Sequence, residues 1–530
     1  MVTWNFAAVW DGIAAEVPDR EALVCGDRRV TWGEFAARAH RLAAHLQSLG
    51  LAPGDKVAID VPNRPEYLES FYAALVLGCV PVNVNYRYTA DEVRHVVDDS
   101  DAAVVVHTAD VAETVRTAVA RIDAPARPHT LEVGEPYEQA IAAAPATPDP
   151  AHTPSGDDLI FLYTGGTTGM PKGVMWRNED LYVGIWVQAH PRHREPPDPV
   201  AAARAGKRAA TRLPVSPLMH GTGLMTTLST LAGGGTVVLL DHTGLDPELV
   251  WDTVAREQVA ALTIVGDVFA RPLLDALHAH AGRWHLTCLR AIVSSGVLFS
   301  PEVKRGLLDE LPGVTIIDTL GASEGLGPSN ASTAADDTIA PARFRVNDRV
   351  FVIDEHTGQP VTPGSDEVGI VAMGGNIPLG YYNDPEKTRA TFRVIDGTRY
   401  SVPGDYATVA ADGTVQLLGR GSACINTGGE KVYPEEVELV LRDHTGVFDC
   451  TVVGVPDARF GEKVVAIVQV AAGHHLDADD LGAWCRRTLA GYKLPREWLF
   501  VDGLPRSPAG KADQPKLRAL AMERLGIDGA

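Results

Sequence analysis

Hydrophobic and polar positions first alternate at helical spacing near the amino-terminal end. Residues 31–34 read TWGE, and a threonine three positions before a glutamate predicts a helix start in which each side chain bonds the other residue's backbone N–H. Apolar residues then recur up to a glycine at position 50, at Phe35, Leu42, Leu46 and Leu49. This spacing predicts one amphipathic helix that ends at the glycine.

Strand patterns then alternate with helix patterns. The runs KVAIDV at 56–61 and AAVVVH at 102–107 predict buried strands, and TADE at 89–92 predicts a second capped helix between them. Three later runs that end at small or polar residues predict further strands, at 236–241, 290–296 and 314–319. Such alternation indicates a layered α/β fold, in which ligands collect at strand ends.

Two stretches rich in proline and alanine interrupt the pattern, at 124–154 and 191–210. Because they lack the periodicity of a packed element, we expect them to be surface excursions. The apolar stretch 71–82 is too short to span a bilayer and predicts a core helix that runs into a strand.

The pattern changes beyond 419–422, a segment that contains glycine and serine. The residues after it predict a helix following Pro434, strands at 447–455 and 462–470, and a helix near 481–489. We therefore predict two domains, 1–419 and 420–530. The predicted fold class is α/β, with a large amino-terminal domain of several subdomains and layered sheets and a smaller α+β carboxy-terminal domain.

Bulk composition agrees with a large globular protein and excludes some partners. The chain has 530 residues, a length that is too great for one ordinary core. Hydrophobic residues make up 45% of it, which is enough to build more than one. A formal net charge of -21 disfavours general attraction to nucleic acid or anionic membrane. The six cysteines show no CxxC pair, and the amino-terminal end lacks the pattern of a secretory signal. We expect a cytoplasmic protein without a transmembrane segment.

The segment YTGGTTGMPKGV, which begins at Tyr163, carries the clearest chemistry. Glycines let the backbone approach a ligand closely, threonine hydroxyls and N–H groups donate hydrogen bonds, and a lysine adds positive charge. These are the properties of a polyphosphate site. It is not a Walker A loop, because Met170 and Pro171 stand between the last glycine and the lysine.

This segment closely resembles the phosphate-binding signature of the adenylate-forming superfamily, which includes acyl-CoA synthetases, aryl-CoA ligases, luciferases and peptide-synthesis adenylation domains. Further segments resemble the family's other signatures in the family's order, namely SPLMHGTG, LGASEG, YSVPGD, GRGSACINTGGEKVYPEEVE and RSPAGK. The resemblance implies a small carboxy-terminal domain that rotates between two half-reactions. A carboxylate first attacks the α-phosphate of ATP, and a thiol, usually coenzyme A, then displaces AMP.

Residue by residue, the resemblance implies a nucleotide site. Lys511 matches the catalytic lysine, and Glu324 matches the acidic residue that holds Mg2+. Outside the family context, Lys511 would be a solvated surface lysine and Glu324 a carboxylate at a helix start. The implied contacts of phosphate, adenine and ribose are Thr164, Gly165, Gly166, Thr167, Thr168, Lys172, Ser295, Asp318, Leu320, Gly321, Ser323, Asp405 and Arg420.

The acyl and thiol sites are implied in the same way. His220 resembles a histidine that gates carboxylate entry, although a histidine before a glycine turn is often only structural. The residues that match an acyl tunnel are Gly223, Val265, Gly266, Val268, Phe269 and Gly296. Gly428 and Gly429 match the backbone that the thiol of coenzyme A passes.

Two positions depart from the family pattern. Leu320 stands where an adenine-stacking tyrosine is usual, so aliphatic packing replaces stacking, and Ser422 stands where a hinge aspartate is usual. Together with several other segments, these features resemble actinobacterial fatty-acyl and steroid-side-chain acyl-CoA synthetases.

The sequence therefore predicts an ATP- and Mg2+-dependent acyl-CoA synthetase for a fatty or steroid-side-chain acid. Alternatives are an adenylating ligase that passes the acyl group to an amine or to a carrier protein, and a non-enzymatic binding module. The identity of the acid and the oligomeric state, a homodimer included, stay open.

Overall fold

The computed structural model describes residues 4–123, 127–164, 170–190, 193, 195–206, 210–296, 299–336, 344–347, 349–420, 424–427, 430–457, 460–506 and 512–527. The chain forms two compact units. Unit 1 comprises Met1–Phe299, Val303–Thr338 and Met373–Ser401, and unit 2 comprises Ser300–Glu302, Ile339–Ala372 and Val402–Ala530. The predicted α/β class is confirmed. We predicted that a mobile carboxy-terminal domain begins at residue 420, and this boundary stays a prediction.

Unit 1 contains a seven-stranded sheet with helices on both faces. Its strands lie in the order β6 (His129–Glu132), β5 (Ala102–His107), β3 (Lys56–Asp60), β4 (Val80–Asn83), β7 (Leu159–Thr164), β8 (Lys172–Arg177) and β18 (Gly380–Tyr381). The first five are parallel, and β8 is antiparallel to both of its neighbours. One face packs on α1 (Phe6–Glu16), α2 (Trp32–Ser48), α3 (Pro65–Leu77) and α6 (Glu135–Ala143), and the other packs on α4 (Ala90–Asp99) and α5 (Ala112–Ala120).

A second, eight-stranded sheet completes the layered part of unit 1. Its order is β2 (Arg28–Thr31), β1 (Glu21–Cys25), β10 (Thr236–Leu239), β9 (Thr211–Pro214), β11 (Ala261–Ile264), β12 (Ala291–Ser295), β13 (Thr315–Ala322) and β14 (Gly325–Ser332). The inner strands are parallel, so their carboxyl ends meet at one edge.

Further helices in the described ranges are α7 (Asn178–Ala189), α8 (Pro199–Arg204), α9 (Gly221–Ala232), α10 (Pro247–Arg256), α11 (Gly266–Ala279), α12 (Pro301–Glu310) and α13 (Pro385–Thr391). The last of these, α13, leads into a hairpin of β19 (Phe392–Ile395) and β20 (Thr398–Ser401).

Local sequence signals explain where the early elements begin. Thr31 and Thr89 each accept from the N–H of the glutamate three positions on, and each glutamate bonds back, so both predicted capping boxes are confirmed. The apolar stretch 71–82 is the end of α3 followed by β4, as predicted. None of the helices in the described ranges is both long enough and apolar enough to cross a bilayer.

The interpretation of 124–154 and 191–210 as surface excursions without packed elements is wrong. The first contains β6 and α6, where Tyr137 is fully buried with Ala140 and Ile141 beside it. The second contains α8, which begins at the N-cap Asp198 and buries Ala203. Both helices were missed because their buried positions include alanine. Its small side chain differs little in hydrophobicity from the neighbouring residues, so the helical pattern is weak.

Unit 2 is mostly antiparallel. One group pairs in the order β15 (Phe344–Arg345), β22 (Thr414–Arg420), β21 (Asp405–Val409) and β17 (Gly369–Met373), with β16 (Val350–Ile353) also on β17. Another sheet has the order β24 (Glu430–Val432), β23 (Ile425–Thr427), β26 (Gly461–Val470) and β25 (Val447–Asp457), with β27 (Glu497–Phe500) on β26. Its faces are covered by α14 (Pro434–Arg442) and α15 (Ala478–Cys485) on one side and by α16 (Gln514–Arg524) on the other. The predicted elements after Pro434 are thus confirmed.

Asp60, the last residue of β3, is a buried carboxyl. It is fully buried, and among the described residues neither of its oxygens has a hydrogen-bond partner. His107 lies opposite it in register on β5. Burial alone raises the pKa of Asp60 to about 7. The folded protein therefore keeps a proton that the unfolded chain releases between about pH 4 and pH 7.

Asp60→Asn should stabilise the protein at alkaline pH. Because the pKa of Asp60 is higher in the folded protein than in the unfolded chain, the free energy of unfolding falls as pH rises from about 4 to about 7. Above about pH 7 the ionised carboxyl destabilises the folded protein by its full amount. We expect a gain of about 2 kcal/mol near pH 8 and almost none near pH 5, since relaxation and water penetration offset part of the full burial cost. Urea denaturation at both pH values tests this. An equal shift at both would contradict a buried ionised Asp60.

Candidate active site

The glycine-rich segment lies between two paired strands of unit 1. Thr164 ends β7 and lies in register with Lys172, which begins β8. The entry to the segment is fixed by Asn83, whose side chain accepts from the N–H of Tyr163 at 2.6 Å and donates to its carbonyl at 2.9 Å. The predicted phosphate contacts Gly165, Gly166, Thr167 and Thr168 lie outside the described residues. Their roles stay predictions.

Lys172 forms an ion pair that the sequence did not predict. Its ammonium contacts Asp384, the N-cap residue of α13, whose other oxygen accepts from the N–H of Lys387 at 2.9 Å. Lys172 and the N–H of Lys387 lower the pKa of Asp384, because both stabilise its ionised form. The Lys172 side chain stays 40% exposed, so an incoming phosphate can reach it.

Glu324 lies in the two-residue turn of the β13–β14 hairpin, between the paired residues Ala322 and Gly325. The alternative in which it is a helix-start carboxylate is wrong. Its Oε1 accepts from the Tyr381 hydroxyl at 2.7 Å, and Trp176 Nε1 donates to the carbonyl of Ser323 at 2.9 Å. A carboxylate held at one oxygen on a tight turn suits Mg2+, which takes one or two protein carboxylates and completes its shell with phosphate oxygens and water.

The candidate adenine residues lie where β12 and β13 end. Ser294 pairs in register with Asp318, and Ser295 Oγ donates to the carbonyl of Thr319 at 2.9 Å. The Leu320 carbonyl accepts from Gln188 Nε2 at 3.2 Å. Gly321 continues β13 toward the Glu324 turn. The structure therefore brings these residues together along one strand pair.

Asp318 has a buried partner that sequence reasoning missed. Lys304 Nζ on α12 donates to Asp318 Oδ2 at 2.6 Å, and the Lys304 side chain is fully buried. Burial raises the pKa of Asp318, and the nearby Lys304 opposes that rise. A signal was present, because Lys304 lies one helical turn before the buried Leu308 and shares its face.

The segment before His220 is held by polar side chains that are buried or half-buried. Asn63 donates to the carbonyls of Pro214 and Ser216, each at 3.1 Å, and accepts from the N–H of Leu218 at 2.7 Å. Tyr67 and Asn83 also donate to backbone carbonyls of this segment. His220 itself is the N-cap residue of α9. Gating or a purely structural role for it both stay open.

The predicted acyl residues lie within or next to α9, α11 and β12. A Cβ added to Gly223 would lie 2.3 Å from the Pro217 carbonyl oxygen, so packing alone requires glycine there. Val265 precedes α11, and the N–H of Gly266 donates to Ser294 Oγ at 2.9 Å, which joins the start of α11 to β12. Val268 and Phe269 in the first turn are half-buried, and Gly296 follows β12 with φ of +90°. Their role in binding an acid stays a prediction.

The candidate residues of unit 2 are only partly described. Asp405 begins β21 and pairs in register with Arg420 at the end of β22, so the two predicted ribose contacts are backbone neighbours. The predicted thiol-side residues Gly428 and Gly429 lie outside the described residues, as do Ser422 and the catalytic candidate Lys511.

Comparison with known proteins identifies the family. The model of the AMP-binding enzyme family matches residues 10–382, and that of the AMP-binding enzyme C-terminal domain matches residues 436–511. The chain belongs to the AMP-binding enzymes. The predicted membership of the adenylate-forming superfamily, with a large amino-terminal and a smaller carboxy-terminal domain, is confirmed.

Curated relatives of this AMP-binding enzyme are named as CoA ligases. It is 40% identical over 529 residues to a medium/long-chain-fatty-acid–CoA/3-oxocholest-4-en-26-oate–CoA ligase of Mycobacterium marinum, with 97% of this chain and 96% of the relative covered. It is 41% identical to a 3-oxocholest-4-en-26-oate–CoA ligase of Rhodococcus rhodochrous, with 94% and 92% covered. The predicted enzyme class, an AMP-forming acid–thiol ligase, is confirmed.

A solved structure shows the same fold. ATP-bound MatB from Rhodopseudomonas palustris matches with a TM-score of 0.82 at 26% identity, covering 99% of this chain and 100% of that one. ATP and coenzyme A fit this family as substrates of the AMP-binding enzyme.

Proposed function

We propose that this enzyme is an ATP- and Mg2+-dependent acyl-CoA synthetase for medium-to-long-chain fatty acids or steroid-side-chain acids. The observation that carries the proposal is the match, along nearly the whole of both chains, to ligases named for such acids. The apolar side chains Val265, Val268 and Phe269 at the start of α11 support an apolar acyl group. Since ATP and coenzyme A are intracellular metabolites, we propose a cytoplasmic location.

The first half-reaction joins two anions. One carboxylate oxygen of the acid attacks the α-phosphorus of ATP, the bond from that phosphorus to the bridging oxygen breaks, and pyrophosphate leaves. In this proposal Lys172 stabilises phosphate charge, and Lys511 contacts the carboxylate and the α-phosphate. Glu324 would hold Mg2+, which would supply positive charge for the phosphate oxygens.

The second half-reaction transfers the acyl group to sulfur. The thiol of coenzyme A attacks the acyl carbon after losing its proton, the bond from carbon to the phosphate oxygen breaks, and AMP leaves with that oxygen. We propose that the carboxy-terminal domain turns between the two steps about the segment 420–422, so that Lys511 is replaced at the site by Gly428 and Gly429.

A product-resolved assay tests this function. The enzyme is given ATP and Mg2+ with octanoate, palmitate, 3-oxocholest-4-en-26-oate or an aryl acid, with and without coenzyme A, and products are identified by mass. We expect acyl-CoA, AMP and pyrophosphate from a fatty or steroid acid, and less turnover with the aryl acid. Amide formation with an added amine at a rate equal to thioester formation would favour the alternative ligase.

A further inference from the structure

A short segment of unit 1, from β18 to the start of α13, contacts both Lys172, which is assigned to phosphate, and Glu324, which is assigned to Mg2+. β18 pairs with β8 at Gly380 and Tyr381, and the N–H of Tyr382 donates to the carbonyl of Gly173 at 2.8 Å. Because of this backbone pairing, the residues that follow β18 lie beside the start of β8. It puts Tyr381 beside Glu324 and Asp384 beside Lys172.

Thr388 on α13 joins β18 to the start of that helix. Its Oγ1 accepts from the N–H of Tyr381 at 2.9 Å and donates to the carbonyl of Asp384 at 2.7 Å. Gly380 has φ of +149°, and a Cβ there would lie 2.4 Å from Thr388 Cγ2, so the close approach needs glycine. Tyr381 is 5% exposed. The Thr388 hydrogen bonds therefore fix the backbone from which the Tyr381 and Asp384 side chains project.

We propose that Tyr381 and Asp384 are positioning residues of the nucleotide site. Tyr381 orients the Glu324 carboxylate for the metal ion, and Asp384 holds the Lys172 ammonium until a phosphate of the nucleotide replaces it. The inference rests on the proposed function, because it assigns Glu324 and Lys172 to Mg2+ and phosphate.

The two residues act in opposite directions. A hydrogen bond to a metal-binding carboxylate fixes its orientation, and loss of such an outer contact costs about 10- to 100-fold in metal affinity. Asp384, in contrast, is an anion next to the ammonium that a polyanion must reach. Since a partly exposed ion pair is weak, its removal should strengthen nucleotide binding by only about two- to fivefold.

Tyr381→Phe should raise the Mg2+ concentration for half-maximal pyrophosphate release by about tenfold and leave the KM for the acid unchanged, with excess Mg2+ restoring most of the rate. Tyr382→Phe is the matched control, because that hydroxyl bonds Asp101 at 2.8 Å and accepts from Lys56 at 3.2 Å, not Glu324. A Mg2+ requirement equal to that of the control would overturn the assignment of Tyr381.

Asp384→Asn keeps an oxygen that can cap α13 but removes the charge. We expect it to bind α,β-methylene-ATP with Mg2+ about two- to fivefold more tightly in equilibrium dialysis. Asp246→Asn is the control, since Asp246 is also an N-cap residue followed by a proline, at the start of α10. Unchanged or weaker binding by Asp384→Asn would overturn the role of Asp384.

Failure of the function and failure of the inference are distinguishable. If the wild-type enzyme releases no pyrophosphate with any acid, both the proposed function and the inference are wrong. An active wild-type enzyme whose Tyr381 and Asp384 variants match their controls would remove only the inference.

Discussion

Replacing Lys304 by methionine should lower the free energy of unfolding by about 3–5 kcal/mol. Lys304 is fully buried and bonds Asp318 at 2.6 Å, so its removal leaves a buried carboxylate without a counter-ion. Methionine fills a similar volume, so the loss comes from charge and not from a cavity. The midpoint of urea denaturation near pH 8 measures it.

The double variant Lys304→Met, Asp318→Asn separates the pair from simple packing. With both charges gone, most of the lost stability should return, because replacement of a whole buried pair is often neutral. In the single variant the pKa of Asp318 rises further, so stability should fall as pH rises toward 8 and recover in acid. A double variant as unstable as the single one would show that the lysine stem, not the ion pair, matters.

Lys511→Ala should slow acyl-adenylate formation by about 10²- to 10³-fold or more. A single charge aimed at the reacting oxygens is worth ~3 to 4 kcal/mol in the transition state. ATP binding and the fold should be retained, and thioester formation from supplied acyl-AMP should fall much less. Single-turnover release of pyrophosphate measures the first step.

Lys516→Ala provides the comparison for this variant. Lys516 lies near the start of α16, is 73% exposed and pairs with Asp513. Its substitution therefore removes one lysine from the same carboxy-terminal region. Its rates should match those of the unaltered enzyme. Pyrophosphate release from Lys511→Ala at that same rate would remove Lys511 from the catalytic role.

Elements with local signals were predicted closely. The capping boxes at Thr31 and Thr89 depend on residues three positions apart, and the strand at 102–107 has the predicted bounds. Helix α6 was missed because its buried face contains alanine, and its burial of Tyr137 depends on contacts with distant parts of the chain, such as Glu69. Sequence patterns report local preference, whereas such packing is decided by tertiary contacts.

The site shows the same division. Lys172 and Glu324 were found because they belong to contiguous signature segments. Their partners Asp384 and Tyr381 lie 212 and 57 positions away, and no spacing rule joins them. Asp60 was missed for another reason, because it ends a strand as many polar residues do and its burial is a property of the folded sheets.

One isotope measurement tests the central claim most directly. The enzyme converts a fatty acid, whose two carboxylate oxygens carry the heavy stable isotope, with unlabelled ATP and coenzyme A. Attack of the carboxylate on the α-phosphorus, followed by displacement of AMP by the thiol, predicts AMP with one heavy oxygen and acyl-CoA with the other. Label in pyrophosphate or orthophosphate, or AMP without any label, would contradict an acyl-adenylate intermediate.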